Sequence, residues 1–106
     1  MMGARSAMKR IIVRYRTKPD MAAENARLIQ NVFSELTAKA PPGVRYLALK
    51  LGDGTFLHFV ETGDGASPIQ ALEAFRAFQS GIKERCVEPP QSSDVTIIGD
   101  YRMLGE

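Results

Sequence analysis

One histidine (His58), one cysteine (Cys86) and three tyrosines (Tyr15, Tyr46, Tyr101) are the side chains of this sequence that could pass a proton, attack a substrate or orient one near neutral pH. An imidazole with an ordinary pKa near 6.5 suits general acid or base work. His58 sits in the middle of GDGTFLHFVETGDG, residues 52–65, a strand-like run between two glycine/aspartate clusters. The plainer reading, which leads, is a neutral histidine satisfied by a tyrosine or a backbone group. Tyrosine hydroxyls could likewise donate to a phenolate-like ligand, although tyrosines in a sheet more often pack their rings and find one partner for the hydroxyl. Cys86 falls near the C-terminal end of an expected helix, the wrong end to stabilise a thiolate, and reads as a packing residue. Gly52-Asp53-Gly54 and Gly63-Asp64-Gly65 lack phosphate-loop or calcium-loop spacing, and one His with one Cys cannot build a zinc site. They read as turns, and neither a metal nor a cofactor is expected.

The elements that would carry these groups follow from periodicity. MKRIIVRYRT, residues 8–17, is rich in β-branched and aromatic side chains and stops at Lys18-Pro19, so it reads as a strand. Asp20 is placed to cap a helix that runs to Ala40, with Ala22, Ala26, Ile29, Phe33, Leu36 and Ala40 on one side and Glu24, Arg27, Asn31, Glu35 and Lys39 on the other. Pro41-Pro42-Gly43 ends it, since neither proline donates an amide and each disfavours helical geometry before it. VRYLALKL (44–51) and TFLHFVET (55–62) flank Gly52-Asp53-Gly54 as a hairpin. Ser67 and Pro68 would open a second helix. Its apolar stripe is Ala71, Leu72, Phe75, Phe78, Ile82 and Cys86, with an irregularity at Gly81 and a stop at Pro89-Pro90. DVTIIGDYRML, residues 94–104, reads as the last strand.

The order β-α-β-β-α-β is that of a ferredoxin-like α+β fold, a four-stranded antiparallel sheet with both helices on one face. One sheet face is therefore left to solvent or to a partner. A three-residue loop at Gly52-Asp53-Gly54 pairs Leu49 with Leu57, Leu47 with Phe59 and Arg45 with Glu61 on one face. On the other it pairs Lys50 with Phe56, Ala48 with His58 and Tyr46 with Val60. A two-residue Asp53-Gly54 turn would instead put Leu49 across from His58. The first register is preferred because apolar meets apolar and opposite charges meet at the end. It sends Leu47, Leu49, Leu57 and Phe59, with Ile12 and Ile98, to a face resembling an interface core inside a charged rim. A homodimer with face-to-face sheets is expected. It sends Tyr15, Tyr46, Tyr101 and His58 toward the helices, where small Ala48 and Gly99 leave room for a small-molecule site. Within it His58 and Tyr46 are the candidate catalytic pair, and Tyr15, Tyr101, Ala48, Phe56 and Phe75 the candidate ligand contacts.

Composition sets the bounds. With 44% hydrophobic and 25% charged residues among 106, the chain reads as one ordinary globular domain, residues 8–106, preceded by a disordered extension over 1–7 in which Met8 is an alternative start. The formal charge of +2 is dispersed and not gathered in a stripe, so nucleic acid is not an expected partner. Apolar runs are far too short for the roughly 20 residues of a membrane span, so no membrane is expected. A lone cysteine and the lack of a signal-like start point to the cytoplasm.

Four stretches together resemble the dimeric α+β barrel superfamily, specifically the antibiotic biosynthesis monooxygenase-like (ABM-like) proteins. They are KRIIVRYRTKPD leading into a long helix, the hairpin around GDGTFLHFVE, ALEAFRAFQSGIKERC with its following PP, and VTIIGDYRML. The resemblance implies a dimer whose sheets close into a barrel, with a pocket between sheet and helices in each chain. Some members oxidise polycyclic phenols to quinones with no metal or flavin, some degrade haem, and others have no known activity. The catalytic branches typically use Trp and Asn beside His or Tyr. This sequence has no Trp, and Asn25 and Asn31 read as helix-surface residues, which argues against haem degradation. The expected function is binding, and by resemblance cofactor-independent oxygenation, of an aromatic or other apolar metabolite. The alternative is a non-catalytic dimeric ligand-binding or assembly module.

Overall fold

The structure is a computed structural model that describes residues 9–63 and 68–103. The expected extension over 1–7, the Ser67 cap and Leu104 lie outside the described residues. Among the described residues four strands and three α-helices occur in the order β1 (Lys9–Thr17), α1 (Ala22–Lys39), β2 (Val44–Lys50), β3 (Thr55–Thr62), α2 (Glu73–Gln79), α3 (Ile82–Arg85) and β4 (Cys86–Asp94). The sheet has the order β2-β3-β1-β4 and every described pairing is antiparallel. This is the ferredoxin-like α+β arrangement read from the sequence.

The hairpin forms in the three-residue-loop register, with Leu49 opposite Leu57, Leu47 opposite Phe59, Ala48 opposite His58 and Tyr46 opposite Val60. Its turn needs a left-handed backbone at Gly54 (φ 86°), and a Cβ there would meet the Thr17 carbonyl oxygen at 3.5 Å. The Thr17 amide donates to the Gly54 carbonyl at 3.1 Å, which ties the turn to the end of β1.

α1 starts at Ala22, after a 3-10 turn over Pro19–Met21, so Asp20 lies within that turn and does not cap the helix. Ala40 closes it in the left-handed region, its amide donating to the Leu36 carbonyl. The buried line of α1 is Asn25, Ile29 and Val32. This corrects the expectation that Asn25 lies on the helix surface. Position 25 follows Ala22 by three and precedes Ile29 by four, so it belongs to the inward stripe, and its amide is fully buried. Ile29 and Val32 pack with Tyr15, Phe56, Ile69, Leu72 and Phe78 into the core, each apolar side chain of this kind contributing about 1.5–3 kcal/mol.

Two further expectations are corrected. The single second helix is broken: a 3-10 turn over Pro68–Ala71 precedes α2, and Gly81 at φ 81° separates α2 from α3. The last strand is Cys86–Asp94, not 94–104. Its sequence, CVEPPQSSD, has no apolar alternation and two prolines. It lies at an edge of the sheet, where a proline's missing amide faces no neighbour, and the step from Arg14↔Gln91 to Arg16↔Glu88 sets Pro89 and Pro90 against Tyr15 alone as a bulge. Glu88 then bonds Arg14 at 3.3 Å and Arg16 at 2.9 Å across the strands. The Val95 amide still donates to the Arg10 carbonyl at 3.1 Å. Beyond that bond none of the described residues 96–103 is in a strand. Ile98 is 98% exposed and Tyr101 80%. Neither Tyr101 nor Gly99 joins the helix-covered face, and Ile98 does not join the open one.

Candidate functional site

β1, β2 and β3 each contribute one residue to a polar line across the helix-covered face. Val13 pairs with His58 on β3, and two residues along β1 Tyr15 points to the same face. On the other side of β3, Tyr46 of β2 stands diagonally from His58, two residues along β2 from Ala48, the partner of His58. The Tyr15 hydroxyl lies 2.8 Å from His58 Nε2 and the Tyr46 hydroxyl 2.7 Å from His58 Nδ1. Both ring nitrogens are engaged by phenols.

The line continues behind Tyr15. Asn25 Nδ2 donates to the Tyr15 hydroxyl at 2.8 Å, and Arg85 Nε donates to Asn25 Oδ1 at 2.9 Å. Arg85, on α3, is buried, and its other guanidinium nitrogens donate to the carbonyls of Phe78 at 2.6 Å and Ser80 at 3.3 Å. These carbonyls stand at the end of α2, where the helix dipole is negative. The guanidinium also sits 5.4 Å from the centre of the Phe78 ring.

Burial keeps the site uncharged apart from Arg85. His58 is pushed down to about 4, because burial penalises the imidazolium. Tyr15 and Tyr46 are both pushed well above the ordinary phenol value by burial, the bond from Asn25 offsetting only part of it at Tyr15. At neutral pH the site is two phenols and a neutral imidazole, framed by aromatic rings: Phe78 lies 5.5 Å from the His58 ring, Phe56 stacks on Tyr15 at 5.4 Å, and Phe33 lies 4.8 Å from Tyr46.

Beside this line is a cavity of about 380 Å³, a volume that fits a small organic molecule. Tyr15, Tyr46 and His58 give it a polar wall, Ile11, Val13, Val60, Ile69, Phe75 and Phe78 give it apolar ones, and Lys9, Thr62, Gln70, Gln79 and Ser92 add further polar groups to its lining. The structure thus brings His58, Tyr46, Tyr15 and Phe75 together. Ala48 and Phe56 border a separate, shallower depression of about 240 Å³ between α1 and the hairpin. Tyr101 is apart from both. Sequence reasoning missed Asn25 and Arg85. The three-and-four spacing around Asn25 was a usable signal, whereas nothing local distinguishes Arg85 from the other cations of KERC.

Cys86 is partly buried, and burial pushes its thiol up, away from a reactive thiolate. Among the described residues no three of His, Cys, Asp and Glu converge as metal ligands, and no helix is long and apolar enough to cross a membrane.

No protein-family model matches this chain, and no curated protein matches it. Solved structures do. A Nitrosomonas europaea protein described as a putative antibiotic biosynthesis monooxygenase superposes with a TM-score of 0.71 at 13% identity, over 87% of this chain and 91% of its own. A protein of the same description from Caulobacter crescentus gives 0.69 at 13% identity, over 88% and 92%. A second Nitrosomonas europaea protein, of unknown function, gives 0.66 at 24% identity, over 90% and 94%. The chain shares with these proteins the ferredoxin-like α+β fold.

Proposed function

We propose that this chain is an ABM-like small-molecule-binding protein that takes an aromatic or other apolar metabolite into the cavity beside Tyr15, His58 and Tyr46, and that it works as a homodimer. The observation that carries the binding reading is the cavity itself: about the right volume, an apolar body, and the Tyr15–His58–Tyr46 line converging on it, with Lys9, Thr62, Gln70, Gln79 and Ser92 as its other polar lining. The ligand's flat body lies against Phe75 and Phe78, and its polar edge meets Tyr46, the least buried member of the line.

The dimer reading rests on the other sheet face. Leu47 and Leu49 are 46% and 49% exposed beside the partly exposed Leu57, Phe59 and Ile12. α1, α2 and α3 cover only the opposite face. A second copy of the same face would shelter these side chains and complete a barrel.

The catalytic reading is narrower. Monooxygenase activity named for structural neighbours, carried to this chain, would be cofactor-independent, the substrate giving its own electrons to dioxygen: an activated CH2 plus O2 yields C=O plus water. Tyr46 would meet the substrate and His58 stand behind it. A histidine held near 4 is a poor match for proton abstraction at neutral pH, which ranks binding ahead of oxygenation. Oxygen uptake with a panel of phenols and anthrones separates the two. Uptake by the native protein that disappears in His58→Ala and Tyr46→Phe supports the oxygenase. Binding without uptake supports the non-catalytic module, and uptake untouched by both substitutions removes this site from the chemistry.

A further inference from the structure

We infer that the polar line is a one-way hydrogen-bond chain that starts at Arg85 and ends with the Tyr46 O–H offered to the cavity, so that the site selects ligands whose polar group is a hydrogen-bond-accepting carbonyl over ligands whose polar group is a donor. The inference rests on the small-molecule reading above and gives its ligand a chemical class.

The direction follows from counting protons. A guanidinium has only donors, so the contact from Arg85 Nε fixes Asn25 Oδ1 as the acceptor and turns Nδ2 toward Tyr15. Tyr15 accepts that bond and has one proton left to give, and its other polar neighbour is His58 Nε2. If Tyr15 donates there, Nε2 is the bare nitrogen and the ring proton sits on Nδ1, where it is donated to the Tyr46 oxygen. Tyr46 then keeps its own proton, and among the described residues no protein group accepts it. Run the other way, with Tyr46 donating to Nδ1 and Nε2–H donating to Tyr15, the Tyr15 hydroxyl would accept twice and its proton would be stranded. Tyr15 is 1% exposed, whereas Tyr46 is only partly buried and lines the cavity. An unmet proton in the core is penalised, while one at a cavity wall is available to a ligand. The neutral imidazole supports this, since an imidazolium would protonate both nitrogens.

Arg85 and Asn25 are thus positioning residues that never reach the ligand, and Tyr46 is the specificity-determining group. A ligand carbonyl accepts from Tyr46. A ligand N–H in the same place would meet an oxygen already accepting from His58 and a proton directed at it.

Two measurements on the full chain test this. His58 is the sole histidine, so a long-range proton–nitrogen correlation spectrum at pH 7 reads its tautomer without assignment. The expected result is a protonated Nδ1 and a bare Nε2; a protonated Nε2 with a bare Nδ1 overturns the inference. Titration of indane, 1-indanone and indole, followed by methyl resonances of the cavity walls, then reads selectivity among bicyclic molecules of similar size. We expect 1-indanone to bind about tenfold more tightly than indane, the worth of roughly one well-placed hydrogen bond, and indole to gain nothing over indane. Tyr46→Phe should bring 1-indanone down to the level of indane and leave indane unchanged, which also shows that the variant's cavity is intact. A preference for indole, or a preference for 1-indanone that survives Tyr46→Phe, overturns the ligand class. If none of the three binds, the small-molecule reading fails and takes the ligand class with it, while the tautomer still decides the direction of the chain.

Discussion

The two faces of this sheet have similar sequences and opposite situations. Ile12, Leu47, Leu49, Leu57 and Phe59 on the open face are as apolar as Val13, Tyr15, Tyr46, Phe56 and Val60 on the helix-covered one, yet Leu47 and Leu49 stay nearly half exposed while Tyr15 and Phe56 are 1% and 2% exposed. Their charges differ in the same sense. On the open face Arg14 and Arg16 both meet Glu88 in ion pairs at the surface, while Arg10 and Arg45 both reach Glu61, whose carboxylate is buried beneath them. Beneath the helices one buried cation, Arg85, is paired with no carboxylate among the described residues and is satisfied by carbonyls and an amide. The covered face therefore commits its polar groups to each other, where any change costs folding energy. The open face commits its apolar groups to something outside the chain, where changes should cost association.

The largest effect should come from the covered face. Arg85→Met keeps the apolar stem and removes the donors to Asn25, Phe78 and Ser80. With two buried acceptors left unpaired we expect a loss of about 3 kcal/mol in urea unfolding. A neutral or stabilised variant would mean that the buried guanidinium contributes no net stability, and would erase the energetic contrast between the faces.

Acid should strike the same line by a different route. The folded value for His58 is about 4 and the unfolded one is near 6.5. Between these the unfolded chain binds a proton that the folded chain refuses, so the contribution of His58 to stability is full above about pH 6.5, falls as pH drops, and is exhausted below about 4. The total is on the order of 3 kcal/mol, with a slope near 1.4 kcal/mol per pH unit around pH 5.5. The lowered carboxylates Glu24, Glu35, Asp53 and Glu88 change protonation below this window's upper half and do not disturb it. Unfolding between pH 7 and 5 should therefore be steep in the native chain and flat in His58→Gln. Equal slopes would show that His58 is solvated in the folded protein.

The same contrast explains what the sequence could disclose. The hairpin register was legible because a short loop and three cross-strand matches, Leu49 with Leu57, Leu47 with Phe59 and Arg45 with Glu61, agree on it, all within residues 44–62. The face of His58 followed from that register alone. β4 was hidden because its strand character is not its own. CVEPPQSSD has poor strand composition, and it is held by pairing with β1, by Glu88 between Arg14 and Arg16, and by an edge position that tolerates proline. VTIIGDYRM has the better composition, yet past the bond of the Val95 amide to Arg10 it forms no strand among the described residues. Arg85 was hidden for a related reason: its role depends on α2 ending at Gln79 and on Asn25 standing 60 positions earlier, a non-local coincidence that no local pattern encodes. Asn25 lay between, visible in the helical spacing and obscured by its polarity.

The smallest effect on folding, and the sharpest test of the comparison, belongs to the open face. Leu49→Glu places a carboxylate where Leu49 is 49% exposed and faces Leu57 across the hairpin. In the separated chain this position already meets water, so unfolding extrapolated to low protein concentration should change by no more than about 0.5 kcal/mol. In a face-to-face pair the same carboxylate would be buried opposite its own copy, and a desolvated charge without a partner costs several kcal/mol. Light scattering after gel filtration should then find a dimer for the native chain and a monomer for the variant, with the neutral Leu49→Met keeping the dimer. A large loss of folding stability at low concentration would mean that Leu49 is packed by its own chain after all. A native chain that is already a monomer at micromolar concentration would leave those leucines wet, and the two faces would differ in burial without differing in purpose.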